Sequence, residues 1–236
     1  MAVRRSGRGF TFVEMLVSIG IIALVTAILL PAMNVAREQA QRTTCLSNLR
    51  QLTMAWQLYA QEHNGRLVSS DTFDRTCWVN GSSCCSSLQT GALWPYVKNT
   101  NIYMCPEDQW NDPRSYAING YLNGEYGDQA AKTLSEIRQP TSGVFCFIEE
   151  FDPRGMLQHS FVVSQYPDTL WIDLPAPWHK DAVMVSWCDG HAAAWRWADS
   201  RSSQLRTRGV SQPNNPDLRQ LQAWLGIGPT PPGVIQ

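Results

Sequence analysis

Charge is what this 236-residue sequence has least of. Charged residues make up 17% of it, against about a quarter in ordinary soluble domains. Part of the deficit is one segment, Met15 to Ala36, with no charged residue at all. The formal net charge is -1. The basic residues cluster only at the N-terminus, as Arg4, Arg5 and Arg8, and no basic patch with interleaved aromatics follows. Nucleic acid is therefore not expected as a partner. No CxxC pair occurs, which removes the zinc-ribbon and thioredoxin-like readings. HExxH, a glycine-rich phosphate loop and a Ser-His-Asp sequence motif are also missing, so no local signature of an enzyme is present. The seven cysteines are Cys45, Cys77, Cys84, Cys85, Cys105, Cys146 and Cys188. Their odd number leaves at least one unpaired in a monomer, or one bridged between chains. The vicinal pair Cys84-Cys85 reads as loop residues with separate partners.

The feature that is present in strength is the N-terminal apolar run. Met15 to Leu30 is almost wholly apolar, long enough as a helix to span or nearly span a bilayer core of about 30 Å. The arginine head is expected to stay on the cytoplasmic side. An ordinary secretory signal would be cut after the apolar run, but Pro31-Ala32-Met33-Asn34 is a poor small-residue site. One acid, Glu14, lies inside the run. A carboxylate in hydrocarbon is costly unless paired. Cleavage between Gly9 and Phe10 would create an amine four residues before Glu14. In a bundle, that amine pairs with Glu14 of a neighbouring helix and sets the register of assembly.

Arg8-Gly9-Phe10-Thr11-Phe12-Val13-Glu14 resembles the prepilin peptidase recognition motif of type IV pilins and type II secretion pseudopilins. The resemblance implies cleavage after Gly9 and N-methylation of Phe10 by a prepilin peptidase/N-methyltransferase. It implies an inner-membrane anchor whose helix packs with other pilin-like subunits, and Pro31 matches the family proline that kinks the long helix. The implied location is a single-pass bacterial inner-membrane protein with a cytoplasmic N-terminus. The C-terminal domain is then expected in the periplasm or outside the cytoplasmic membrane, free or incorporated in a filament.

The domain expectation is a leader over residues 1–9, an N-terminal helix over 10–63 with 10–30 as its membrane part, a globular body over 64–226 and a flexible tail over 227–236. Val35, Leu46, Leu49, Leu52, Trp56 and Tyr59 form an apolar stripe at spacings of three and four, while Arg37, Glu38, Arg42 and Arg50 are expected to be solvated. Asn64-Gly65 supplies the stop. Tyr103 to Pro106 reads as a strand end. Ser115 to Gly120, Val144 to Ile148 and Phe161 to Val163 read as strands. Ala182 to Trp197 reads as a hairpin turning at Asp189-Gly190 through a two-residue type I′ loop. That loop would place Cys188 opposite His191 and Ser186 opposite Ala193. Asn215-Pro216 starts a short helix that Gly226 ends. The fold class is α+β: a long kinked N-terminal helix on a mainly antiparallel sheet, with long loops and a short C-terminal helix.

His179 is followed by nine residues and then Asp189-Gly190-His191. This resembles the H-X9-DG region of a family of prepilin-processed proteins. Leu49-Arg50-Gln51-Leu52, Cys105-Pro106-Glu107-Asp108 and Ser115 to Tyr121 resemble blocks of the same family. His179, Asp189 and His191 are types that ligate metal or act as base and orienter, but Asp189 already serves a turn. Neither catalysis nor a metal is assigned to them. Glu107, Asp108, Asn111 and Asp112 offer oxygens for a possible structural calcium without EF-hand spacing. Cys45 lies within the helix, where a disulfide fastening helix to body and a buried free thiol stand as equal alternatives. The reading is a structural pseudopilin-like subunit. The alternative is an anchored binding module displaying tryptophans to a polysaccharide or protein, and an anchored metal-dependent hydrolase is the third.

Overall fold

The computed structural model describes residues 11–71, 74–80, 88–108, 110, 114–124, 126–138, 140–153 and 160–234. Gly9, Phe10, Cys84, Cys85, Asn111 and Asp112 lie outside them. The chain divides into two compact units, one ending at Ala40 and one from Gln41 onward. A single helix, α1 (Phe12–Glu62), contributes to both and runs unbroken through Pro31.

From Met15 to Ala36 the helix has no charged residue and is exposed along its length. Phe12 to Leu30 rises about 28 Å at 1.5 Å per residue, and its large side chains are exposed throughout. The hydroxyls of Ser18 and Thr26 turn back on the carbonyls of Glu14 and Ile22, at 2.7 and 2.9 Å. This satisfies polar groups that hydrocarbon would leave without partners. Val35, expected on the packing stripe, is 69% exposed; the stripe begins later, at Cys45.

From Gln41 the same helix becomes one wall of a core. Cys45, Leu49, Leu52, Trp56 and Tyr59 are buried at helical spacing, with Leu46 half-covered beside them. They pack on one face of a sheet ordered β3-β1-β2-β6-β7. Its strands are β1 (Tyr116–Asn119), β2 (Phe145–Phe151), β3 (Ser160–Phe161), β6 (Ala182–Trp187) and β7 (Ala192–Arg196). All pairings are antiparallel except β1 with β3. β5 (Leu174–Pro175) adds to the end of β2, and β4 (Leu170–Trp171) pairs with β8 (Val210–Ser211) in a second small sheet. α2 (Trp94–Val97) and α3 (Ser200–Ser203) are single turns, and α4 (Pro216–Ala223) closes the chain's regular structure.

The sheet is covered on both faces. Tyr116, Ile118, Phe147 and Met184 face α1, whereas Ala117, Phe145, Ile148, Val183 and Val185 face a second core built with Leu218, Leu221 and Leu225. This explains why β2 and β6 show no alternation of apolar and polar residues, their few polar residues, Glu149, Glu150 and Ser186, being buried too. A register shift between Phe145 and Phe147 puts the neighbours Cys146 and Phe147 into the same core, as a bulge requires. Ser186 serves that irregularity. Its hydroxyl accepts the Phe147 amide at 3.2 Å and the Thr53 hydroxyl of α1 at 2.7 Å.

Three expectations change. The hairpin pairs Ser186 with Ala192 and Val185 with Ala193, one residue away from the predicted register. The loop is Cys188-Asp189-Gly190, with only Gly190 at positive φ (+101°), and the Gly190 amide donates to the Trp187 carbonyl at 2.9 Å. This is a three-residue turn with glycine in its left-handed position, not a type I′ pair. Tyr103 to Pro106 is not a strand; a 3-10 turn occupies Thr100–Tyr103. Arg42 is not solvated: its guanidinium donates to the His179 carbonyl and to Asp181, each at 3.0 Å.

The C-terminal helix follows its sequence signals. The Asn215 side chain accepts the Leu218 amide at 2.9 Å, Pro216 starts the helix, and Gly226 has φ +83°. Beyond it, Arg138 donates to the Gly228 carbonyl and to Thr230. A β-carbon at Gly226 would meet Val144 Cγ1 at 2.8 Å. Gly226→Ala is therefore expected to cost about 1–3 kcal/mol, read by melting of the detergent-extracted chain. An unchanged melting temperature would reject the argument.

Glu150 is buried beside Asp173 and Asp152, with Arg208 bridging those two aspartates. Burial first, then the Asp173 charge, holds the Glu150 pKa well above its ordinary value, against the pull of Arg114. A carboxyl with a raised folded pKa binds its proton more tightly when folded. Stability then falls as pH rises from the unfolded pKa through the folded one. Glu150→Gln should raise stability more at about pH 8 than at about pH 5, measured by denaturant titration at both. Equal changes at the two pH values would refute it.

Candidate functional site

His179 sits in a tight turn just before β6. Its carbonyl accepts the amides of Asp181 and Ala182 at 2.7 and 3.2 Å, and Lys180 takes a left-handed φ of +53°. Glycine or asparagine adopts that conformation most easily. Here a lysine fills it. With the backbone spent on the turn, the ring is directed inward and is fully buried.

Three segments supply its surroundings. Cys45 comes from the buried face of α1. Cys105 follows the 3-10 turn, its amide fixed by Ser115 Oγ at 2.8 Å and the preceding Met104 carbonyl held by Asn48 at 2.9 Å. Glu149 comes from β2, and Glu107 from the turn after Cys105. The Cys45 and Cys105 sulfurs are 2.7 Å apart. His179 Nε2 lies 3.3 Å from Cys105 Sγ and 3.0 Å from Glu149 Oε1. The other ring nitrogen, Nδ1, lies 3.1 Å from Glu107 Oε2. The second Glu149 oxygen accepts the Met184 amide at 2.9 Å.

The electrostatics follow from this crowding. Burial opposes protonation of His179, but the Cys45 thiol and the Glu149 carboxylate overcome it and raise the pKa to about 10. Burial, followed by Cys45 and Glu149, pushes the Cys105 thiol well up. Cys45, Cys77, Cys105, Cys146 and Cys188 are all unbridged among the described residues, and Cys105 is the cysteine that faces Cys45.

The tempting trio of His179, Asp189 and His191 is not one site. Asp189 Oδ1 accepts the His191 amide at 3.1 Å and sits 2.6 Å from its Nδ1, at the half-exposed hairpin tip. Six residues of β6 separate that tip from His179, roughly 20 Å of strand at 3.3 Å per residue. The His191 ring stacks on Trp187, with centroids 4.3 Å apart and planes at 6°. The one-residue register change creates that pairing by placing Trp187 directly across from His191. Of the residues offered for calcium, Asn111 and Asp112 lie outside the described residues, and the other two face protein groups. Asp108 accepts the Trp110 amide and the Ser115 hydroxyl at 2.9 and 2.7 Å, and Glu107 faces His179. The tryptophans divide: Trp56, Trp78 and Trp171 are fully buried, while Trp187, Trp195, Trp197 and Trp224 pack on one another at centroid distances of 5.0–5.2 Å.

Two contributors were missed from sequence. Glu149 ends an apolar run, and an acid there must be paired if the strand is buried. Thr11 and Glu14 match the S/T-x-x-E spacing of a capping box. Glu14 Oε2 accepts both the amide and the hydroxyl of Thr11 at 2.8 and 2.7 Å, and the Glu14 amide returns to Thr11 Oγ1 at 3.3 Å.

No curated protein and no solved structure is significantly similar to the chain. A family model described as the prokaryotic N-terminal methylation motif matches residues 4–30. Among the described residues, α1 is the one helix long and apolar enough to cross a membrane, and its apolar stretch is not buried within the chain. The methylation motif and this long helix together fit a type IV prepilin- or pseudopilin-like protein with a single-pass inner-membrane anchor.

Proposed function

We propose that the protein is a structural subunit of a type II secretion or type IV pilus-like assembly, without a catalytic step of its own. The observation that carries this is the character of α1. Its first part carries the methylation motif and leaves its apolar side chains uncovered, whereas residues 45–60 bury one face in the body. An uncovered apolar helix needs lipid or other helices around it. A pilin-like subunit meets lipid before assembly and its neighbours' helices afterwards.

In this reading a prepilin peptidase cuts after Gly9 and N-methylates Phe10. The arginine head supports a cytoplasmic N-terminus, so the body lies on the periplasmic side or outside. Glu14 changes partner on processing. In the unassembled chain it caps its own helix through Thr11; in the assembly it meets the new amine of an adjacent subunit. That exchange retains a partner for the carboxylate at each stage.

The first test is intact-mass and N-terminal peptide analysis of the membrane-extracted protein. The expected chain starts at Phe10 and carries one added methyl group. An intact leader, or cleavage beyond Leu30, overturns the assignment. The second is Glu14→Ala, followed separately for processing and for assembly by crosslinking in membranes. Leader removal should proceed while crosslinked multimers fall sharply. Normal incorporation would sink the role given to Glu14.

A further inference from the structure

We propose that Cys45, Cys105, Glu149 and His179 form a structural binding site for a thiophilic divalent cation of the zinc class. The four residues are all buried, and their donor atoms lie within 4.8 Å of one another. Two sulfurs, an imidazole nitrogen and a carboxylate oxygen suit zinc, which accepts all three donor types in tetrahedral sites. They do not suit calcium, which takes oxygen donors. Four protein ligands leave no open position, the mark of a structural and not a hydrolytic site.

The outer contacts carry the assignment further. A ligating histidine usually donates its second nitrogen to a carboxylate, which fixes the ring. Glu107 Oε2 lies 3.1 Å from Nδ1 without making a hydrogen bond to it in this structure, and a small turn of its carboxylate would put it in that position. A ligating carboxylate is likewise held, and Met184 donates to the Glu149 oxygen that does not face the cluster. His179 Nε2, Glu149 Oε1 and the two sulfurs thus converge on one point, and a cation bound there would take the place of the protons these groups share.

A disulfide between Cys45 and Cys105 is the competing use of the sulfurs. It would leave the His179 and Glu149 side chains converging on a bond that has no need of them. The sulfur spacing sets a requirement on the metal site. Two zinc–sulfur bonds of about 2.3 Å at a tetrahedral angle hold the sulfurs about 3.8 Å apart. Loading must therefore open the present 2.7 Å contact by about 1 Å. Each thiol loses its proton to solvent as its zinc–sulfur bond forms. The bound ion would join α1, the segment after the 3-10 turn, β2 and the turn before β6 at one point.

The test uses the full-length chain extracted in detergent and purified without chelator. Metal content is read by elemental mass spectrometry. Free thiols are counted by alkylation and intact mass without reductant. The expected result is about one zinc per chain, with Cys45 and Cys105 alkylated only after chelation. Because the ligands are buried and their loss endangers the fold, the deciding variant is Glu107→Ala. Its zinc affinity should fall about 10–100-fold, measured by competition with a chromophoric chelator, while a cooperative melt is retained. His191→Ala, at the exposed hairpin tip, should bind zinc as the unmodified chain does. A chain that stays metal-free in the presence of zinc, a mapped Cys45–Cys105 disulfide, or unchanged affinity in Glu107→Ala would overturn the proposal.

Discussion

The body depends on burying one face of residues 45–60 of α1 against the sheet. Leu49, Leu52 and Trp56 are completely enclosed there, and removing a core side chain of that size typically costs 2–5 kcal/mol. This contact makes the helix a wall of the domain and also fixes the sheet's composition. With α1 on one face and α4 on the other, β2 and β6 have no solvent side, so every residue of both is buried, Glu149, Glu150 and Ser186 included. From Phe12 to Ala36 the same helix is exposed. One continuous backbone thus carries two apolar surfaces with different destinations, and only the second is satisfied by the chain itself.

Polar side chains of α1 then organise the irregular parts. Asn48 holds the carbonyl before Cys105, Gln57 donates to the Cys188 carbonyl at 2.9 Å, and Arg50 donates to the Ala192 carbonyl at 3.1 Å. Arg42 grips the turn at His179. Loop backbone groups near a core need partners that no sheet ladder supplies. Here the helix edge supplies them, which allows long connections to pack without regular structure. Thr53 and Ser186 repeat the device inside the core, where two hydroxyls satisfy each other and the amide at the bulge.

The parts of this fold readable from sequence are those governed by local rules. The extent of α1, the strands around Ile118, Ile148 and Val185, and the capped α4 follow from periodicity, turn residues and Asn-Pro…Gly punctuation. What was not readable depends on distant partners or on a choice between near-equal local options. Asp-Gly serves a two-residue or a three-residue turn, and the difference of one residue decided whether Cys188 or Trp187 faces His191. Arg42 looked solvated because its acceptors, His179 and Asp181, are remote in sequence. Val35 continued the apolar pattern, but periodicity does not reveal where the body stops. Glu149 was hidden for a related reason. Its need for a partner follows from the sequence, but the identity of that partner follows only from the sheet.

The H-X9-DG spacing gains a physical meaning from this arrangement. Between His179 and Asp189 lie the turn at Lys180, the whole of β6 and Cys188. The interval is thus set by one strand that crosses the sheet, with a different task at each end. At its start the histidine must enter the buried cluster with Cys45, Cys105 and Glu149. At its finish Asp189 and Gly190 must reverse the chain. Adding one residue would turn every later side chain of β6 to the opposite face, moving Val183 and Val185 out of one core and Met184 out of the other. A fixed spacing between two polar signatures therefore need not mean that they meet. Here it keeps them apart by a constant strand length, while each is held by neighbours from elsewhere in the chain.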